Sequence, residues 1–405
     1  MDETNAAALH ERYEAIFEAI PAPFAFVDLD AFEANGRAML AQAAGLPIRV
    51  ASKSVRSVDL MRRALALDAG FQGVLAFTLP EALHLARLGF EDVVVGYPSV
   101  NREAISELAK LAAGGESTPP VLMVDVVAQL DLIEATIGAG PSRLPVCLDV
   151  DASYWALRGR LARIGPKRSP VHWPAQARRL TQEIAGRPGT ELAGVMAYEG
   201  QIAGVGDRLP GKPLRSAAIR AMQSRSEADL RSRLPQILAA IREVAEPRVV
   251  NGGGTGSLAR TAAAGNVTEL TAGSGFYAPA LFDTYRSLDL TPAAFFVLPV
   301  VRRPGPGIVT ALGGGYLASG SGTPSRLPQP YLPTGLTLDS EEGAGEVQTP
   351  LLGTAAKSIR VGDRIYMRHA KAGELCERFN TLYLVSGNAV VDEVTTYRGD
   401  GLAFL

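Results

Sequence analysis

Lysine is scarce in this chain, and one of the six lysines stands apart from the rest. Lys53 closes the apolar run PIRVASKS, whereas Lys110, Lys167, Lys212, Lys357 and Lys371 fall in helical or polar loop contexts, where a solvated charge is expected. In a β/α barrel the C-terminal strand ends form the site mouth, and a lysine held there is partly removed from water. Desolvation disfavours the ammonium and frees the amine as a nucleophile. The competing reading is a lysine that snorkels from a strand end with no chemical role. A second feature comes late, in VVNGGGTGS at 249–257, where a glycine-rich turn follows an apolar run. Glycines let backbone N–H groups approach an anion closely, and Thr255 and Ser257 add hydroxyl donors. The turn is neither a Walker loop nor a complete G-x-G-x-x-G with its acidic partner, so a nucleotide is disfavoured. A second cluster, TAGSGFY at 271–277, follows the next apolar run, and the two turns could share one phosphate.

A nucleophilic amine early and a phosphate cradle late suit a phosphorylated aldehyde bound as a Schiff base. Pyridoxal phosphate fits, acting as an electron sink for a carbanion at Cα. A class I aldolase acting on a phosphosugar would need the same two parts, so both readings stand at this point.

These residues need a frame. FAFVDLD, PIRVASK, GVLAF, DVVVGYP, PVLMVD, PVCLDVD, LAGVMAY, PRVVNGG and VTELTAG read as short strands. Segments such as TLPEALHLARLG and NREAISELAKLAA between them carry apolar residues at i, i+3, i+4 and i+7. Strands alternating with helices pair in parallel, and eight or nine of them in about 255 residues suit a closed (β/α)₈ barrel. The expected class is therefore α/β, with a barrel over 21–290 and a mainly β C-terminal domain over 291–405. That second domain is signalled by AAFFVLPVVRR, GIVTALGGGY, RIYMRH, TLYLVSG and AVVDEVTTY, strand-like runs between Gly- and Pro-rich turns. ASGSGTPSRLPQPYLPTG reads as a surface loop. Residues 1–20 form an acidic amphipathic helix with Leu9, Tyr13, Ile16, Phe17 and Ile20 at helical spacing, unlike a signal peptide.

Composition narrows the class. Formal charge is −2 with no basic run, which argues against nucleic acid and anionic membrane as partners. No run of 18 apolar residues suggests a membrane span. Two cysteines, Cys147 and Cys376, cannot make a disulfide framework, so a cytoplasmic setting is expected. Four histidines leave little material for a polyhistidine metal site.

The order PAPFAFVDLDAFEAN, RVASKS, phosphate loop and β C-terminus resembles the fold-type III pyridoxal-phosphate enzymes. Within them the chain is most similar to the D-threonine aldolase and D-serine dehydratase family, which has an alanine-racemase-like N-terminal barrel. The resemblance implies that Lys53 is the Schiff-base residue and a proton carrier. DVDASYWALRGRLARIG at 149–165 is similar to the family's D-x-G…R-x-G segment, which places Arg163 beside the cofactor ring. AGVMAYEGQ resembles a strand ending in Y-x-G-H, with Tyr198 beside the ring and Gln201 where the family has histidine. Gly253, Gly254, Thr255, Gly275 and Tyr277 match the phosphate contacts.

The family's metal-bearing members carry a close His-x-Cys or His-x-Asp pair after a Gly-Asp strand. Here Gly362-Asp363 precedes RIYMRHAKAGELCERFN, with His369 and Cys376 as the candidate ligands of a divalent metal. Six residues separate them, Lys371 takes the partner position, and Glu374 with Cys376 has the spacing of the pair. SEEG at 340–343 also lacks the histidine of the family's E-E-H-G. Imidazole with thiolate would suit Zn²⁺, and carboxylate with imidazole Mn²⁺ or Mg²⁺.

The expected activity is that of a lyase on a β-hydroxy-α-amino acid of D configuration, with cleavage to glycine and an aldehyde preferred. The alternatives are elimination to an oxo acid and ammonia, a racemase using a second base such as Tyr316, and a non-catalytic cofactor carrier. The resemblance also implies a homodimer, with one subunit's β domain covering the other's barrel mouth.

Overall fold

The computed structural model describes residues 3–115, 118–138, 143–157, 159–320 and 322–405. Eleven strands come first: β1 (Phe24–Asp28), β2 (Ile48–Ala51), β3 (Phe71–Ala76), β4 (Val93–Val95), β5 (Leu122–Val124), β6 (Leu144–Asp149), β7 (Tyr154–Ala156), β8 (Ala162–Ile164), β9 (Thr190–Ala197), β10 (Val249–Gly252) and β11 (Glu269–Ala272). Eight of them form one parallel sheet, running in chain order β2-β3-β4, β5-β6-β9 and β10-β11. β11 pairs with β2, and a single bridge between Val94 and Val121 joins β4 to β5, which closes the barrel.

The barrel strands bury both faces, for different reasons. Ile48, Val50, Val74, Val93, Val95, Leu122, Leu148, Val195 and Leu270 pack outward into the main core with the surrounding helices. The alternate positions point inward, and there the packing is partly polar. Arg49 is only 1% exposed, and its guanidinium meets Glu269 (2.7 and 2.8 Å) and Asp92 (2.7 Å). Asn251 also donates to Glu269 at 2.8 Å. Helices start soon after the strand ends because side chains cap them. Thr78 accepts from the Glu81 N–H, and Asn101 from the Ala104 N–H.

Eight further strands complete the chain: β12 (Ala294–Gly305), β13 (Ile308–Leu312), β14 (Gln329–Leu332), β15 (Leu336–Leu338), β16 (Gln348–Gly353), β17 (Arg364–Arg368), β18 (Thr381–Ser386) and β19 (Ala389–Thr395). With β1 they form a nine-stranded, mainly antiparallel sheet. This division departs from a barrel that begins at residue 21. β1 lies between β12, antiparallel to it, and β18, parallel to it, rather than in the barrel. The N-terminal helix, Glu3–Ile16, packs with it, because Tyr13 and Phe17 sit in a cluster with Phe24, Phe26, Phe295 and Tyr366. The stretch 318–335, read from the sequence as a loop, contains β14, which pairs with β17.

Candidate active site

Every element of the site lies just past the C-terminal end of a barrel strand, where side chains from different strands converge. β2 runs into a tight turn at Ser52–Ser54, and the Lys53 side chain stands exposed at the mouth. Its Nζ donates to the Tyr97 hydroxyl at 2.7 Å and lies 5.1 Å from the centroid of that ring. Tyr97 follows β4. Burial pushes its phenol up, but the charge and hydrogen bond of Lys53, with Arg168 and Lys371 beyond, outweigh burial and bring it below its ordinary value. The Arg168 guanidinium lies 5.3 Å from the Tyr97 ring centroid and 5.6 Å from that of Tyr198, which follows β9. Burial, helped by the neighbouring Glu199, pushes the Tyr198 phenol up to about 12. Asp149, at the end of β6, is pushed up to about 7 by burial and by Asp125, with Arg168 opposing.

The Lys53 turn is braced from several sides. Ser52 Oγ donates to the Leu75 carbonyl at 3.0 Å, and Ser54 shares a 3.0 Å hydrogen bond with Ser274. Arg56 adopts φ +51°, a region non-glycine residues seldom enter, and its neighbours hold it there. Its Nε reaches back to the Lys53 carbonyl at 3.1 Å, its Nη1 meets Glu377 at 2.6 Å, and its carbonyl accepts from the Tyr397 N–H at 2.9 Å. The Val55 carbonyl accepts from both the Tyr277 hydroxyl (2.8 Å) and the Cys376 thiol (3.2 Å).

The two glycine turns are joined where the Gly275 N–H donates to Thr255 Oγ1 at 3.2 Å. Beneath the first turn, the buried Glu199 carboxylate accepts from the Gly253 N–H at 3.1 Å, from Ser257 Oγ at 2.7 Å and from Thr261 Oγ1. Close approach explains the glycines. A Cβ on Gly254 would meet Ala203 Cβ at 3.0 Å and Tyr198 Cε2 at 3.3 Å, and one on Gly273 would meet the Ala51 carbonyl at 2.6 Å. The two turns therefore pack their backbone closely against Tyr198 and against the strand that leads into the Lys53 turn.

The remaining sequence-derived candidates fall in three places. Arg163 lies on β8, its guanidinium 3.8 Å above the Trp155 ring, which stacks at 3.9 Å on His172. The β7–β8 hairpin thus holds Arg163 beside Trp155, and it is Arg168, five residues on, that faces Tyr97 and Tyr198. Tyr277 is fully buried, and its hydroxyl is committed to Val55, so its side chain braces the turn. Tyr316 packs its ring on Phe296 and Phe379.

His369 and Cys376 flank Tyr277 without forming a metal site. The Tyr277 ring centroid is 6.1 Å from that of His369, and its hydroxyl is 3.9 Å from Cys376 Sγ. The buried Cys376 thiol is committed as a donor to the Val55 carbonyl at 3.2 Å. Burial and the adjacent Arg368 push His369 down to about 3, with the Ala294 backbone opposing. Among the described residues no group of three or more His, Cys, Asp and Glu side chains is placed to hold a metal. The residues present therefore do not fit the divalent metal.

Sequence reasoning missed Tyr97, Arg168 and Glu199. The strand-end rule that singled out Lys53 applies equally to Tyr97 in VVVGYP. Nothing in the sequence separates Arg168 from its neighbours, and Glu199 after Tyr198 looks like an ordinary loop charge.

Residues 27–279 match the family described as alanine racemase, N-terminal domain. The chain belongs to that family. This alanine-racemase-type chain is also 26% identical over 352 residues to a D-threonine aldolase from Arthrobacter sp, covering 84% of this chain and 85% of that protein. Two solved structures share the fold over both domains. D-threonine aldolase from Filomicrobium marinum has a TM-score of 0.77 at 23% identity, covering 95% of this chain and 96% of the other. D-threo-3-hydroxyaspartate dehydratase from Delftia sp. HT23 has a TM-score of 0.72 at 19% identity, covering 94% and 98%. Among the described residues no helix is long and apolar enough to cross a membrane.

Proposed function

We propose that this chain is a pyridoxal-phosphate-dependent lyase that cleaves a D-configured β-hydroxy-α-amino acid to glycine and an aldehyde. The observation that carries the reading is Lys53. It stands at the barrel mouth with Nζ on the Tyr97 hydroxyl at 2.7 Å, in the same mouth as the glycine cradle formed after the last two barrel strands. The likeness to a D-threonine aldolase supports the choice of substrate and bond.

Pyridoxal phosphate, when bound, supplies an electron sink for the pair released at Cα. Lys53 would hold it covalently, the turns at 253–257 and 273–277 would receive its phosphate, and Tyr198 would border its ring. Arg168 is placed for the ring-side role that the sequence assigned to Arg163. A permanent guanidinium between two tyrosines offers the ring oxygen a fixed positive partner. In aldol cleavage the Cα–Cβ bond breaks, its pair passes to Cα, and the β-hydroxyl loses its proton as the carbonyl forms. Tyr97, whose phenol Lys53 and Arg168 bring below its ordinary value, is placed as its phenolate to take that proton, and Lys53, as its ammonium, to return one to Cα. The same reading makes the enzyme a cytoplasmic homodimer, consistent with two buried free cysteines.

The test has two steps. The purified protein should absorb at about 420 nm, the band expected of a protonated Schiff base, and borohydride should trap the cofactor on Lys53. Incubation with D-threonine should then yield glycine and acetaldehyde. An unchanged band and unchanged trapping in Lys53→Ala would refute the site assignment, and oxo acid with ammonia would mark elimination instead.

A further inference from the structure

The segment 369–377 does not fit a metal, yet it lies against the turn that carries Lys53. Gly373, at φ +83°, packs its Cα against the Lys53 carbonyl so closely that a Cβ would overlap it. Two residues before it, Lys371 is within electrostatic reach of both Lys53 and Tyr97. Its Nζ is steadied by the Ser319 hydroxyl at 3.0 Å. Ser319 is itself fixed, because its N–H bonds both oxygens of Glu374 at 2.8 and 2.9 Å. Glu374 is thereby engaged, and among the described residues Lys371 makes no ion pair with any carboxylate. Lys371 and the His369 ring line the same cavity of about 340 Å³, which also borders Arg56, Tyr316 and Arg378.

Burial, with Arg326 and Lys53 nearby, brings the Lys371 amine below its ordinary value while Glu374 opposes them, and Ser319 holds it beside the Lys53 turn, where its ammonium form is a positive charge. It also opposes a divalent cation at that place, since the two positive charges would repel. Cys376, the other donor that the sequence offered, is spent as a thiol on the Val55 carbonyl. We propose that Lys371 supplies, as an ammonium, the positive charge at the substrate's β-oxygen that the sequence resemblance assigned to a divalent metal, and that this chain works without one. The inference rests on the lyase reading for its substrate, and on the local geometry for its charge. The ammonium donates a hydrogen bond to the β-oxygen.

The experiment separates the two claims. Holoenzyme purified in the presence of EDTA is titrated calorimetrically with Mn²⁺ and Zn²⁺, and its metal content is measured by elemental analysis. The expected result is no stoichiometric binding, and tight binding of one ion per chain would overturn the inference. In parallel, initial rates on D-threonine are measured with and without EDTA for the wild type, Lys371→Met and Lys371→Arg. EDTA should leave the rate unchanged. Lys371→Met should lower kcat/KM by roughly 10- to 100-fold, the worth of one hydrogen bond to a charged donor, and added Mn²⁺ should not restore it. The loss should fall on kcat more than on KM, because the charge on the oxygen grows during cleavage, and Lys371→Arg should recover most of it. A rate abolished by EDTA and restored by metal, or a Lys371→Met enzyme with wild-type kcat/KM, would overturn the inference. A complete lack of turnover by the wild type would sink the lyase reading, and the calorimetric arm would still decide the metal claim.

Discussion

Glu199 carries the heaviest local load in the first glycine turn, which makes it the sharpest place to test the cradle. Its carboxylate accepts from the Gly253 N–H, Ser257 Oγ and Thr261 Oγ1, and the residue is 4% exposed. Glu199→Ala leaves a cavity and three donors, and water has little access to replace the lost acceptor. The hydroxyls can rotate to other partners, whereas the Gly253 N–H cannot. A buried donor left unsatisfied costs about 1–3 kcal/mol, so the whole substitution should cost roughly 3–5 kcal/mol. With an unfolding entropy of about 2.1 cal/mol/K per residue over 405 residues, Tm should fall by about 4–6 °C. Glu199→Gln should behave differently. Its Oε1 can accept from Gly253 while its Nε2 donates to the hydroxyl oxygens, which accept as readily as they donate. That variant loses only the charge-assisted part of the bonding and should melt within about 1–2 °C of the wild type. Cofactor affinity, read from titration of the long-wavelength band, should follow the same order, with Glu199→Ala weakest. An alanine variant with wild-type Tm and wild-type cofactor affinity would refute the argument. A glutamine variant as damaged as alanine would show that charge, rather than hydrogen bonding, holds the turn.

Arg168→Ala should lower kcat/KM by roughly 10- to 100-fold, whereas Arg163→Ala, which removes only a stack on Trp155, should leave turnover near wild type. Steady-state kinetics on the two variants decide between the arginines, and the reverse order would return the ring-side role to Arg163. A second prediction concerns pH. Burial pushes Glu81 up to about 7 despite hydrogen bonds from the Phe77 N–H (2.6 Å) and the Tyr397 hydroxyl (2.8 Å), and Asp149 is pushed up to about 7 as well. A carboxyl whose folded pKa exceeds its unfolded value binds its proton more tightly when folded. Its contribution to stability is complete below the unfolded value and is lost as pH rises through about 7. Tm should therefore decline between about pH 5 and pH 8, and Glu81→Gln should flatten the Glu81 share of that decline. A wild-type profile that is flat over this range, or a variant profile with the same slope, would count against it.

The barrel was legible because its strands and helices announce themselves by period and by the turns between them. What the sequence could not show was pairing. FAFVDLD has the same apolar texture as the barrel strands, and only its partners, Ala294–Val297 and Tyr383–Val385, place it in the other sheet. Those contacts join residues more than 260 positions apart, beyond any local signal. The site shows the same limit. Lys53 and the glycine turns were found because strand ends and glycine clusters are local features. Arg163 matches an R-x-G pattern, but the β7–β8 hairpin and the Trp155 stack decide where it points. Tyr97 was within reach of the strand-end rule, and Glu199 was not, since only burial distinguishes it from a solvated carboxylate.

The segment after β17 shows how two domains can make one site without sharing a ligand. Cys376 and Tyr277 converge on the Val55 carbonyl, Glu377 holds Arg56, Tyr397 takes the Arg56 carbonyl, and Gly373 presses on Lys53. The C-terminal domain supplies every one of these contacts except Tyr277. A barrel without it would leave the Val55 carbonyl with Tyr277 alone, the Arg56 carbonyl without its Tyr397 donor, and Arg56 without Glu377 at φ +51°. Positive φ at a non-glycine residue survives only where its surroundings impose it. The position of the Lys53 amine at the mouth is thus a property of the second domain as much as of β2. Of the two residues that look like metal ligands in the sequence, Cys376 acts as a strut for the lysine turn through the Val55 carbonyl, while Lys371, two positions after His369, is held by Ser319.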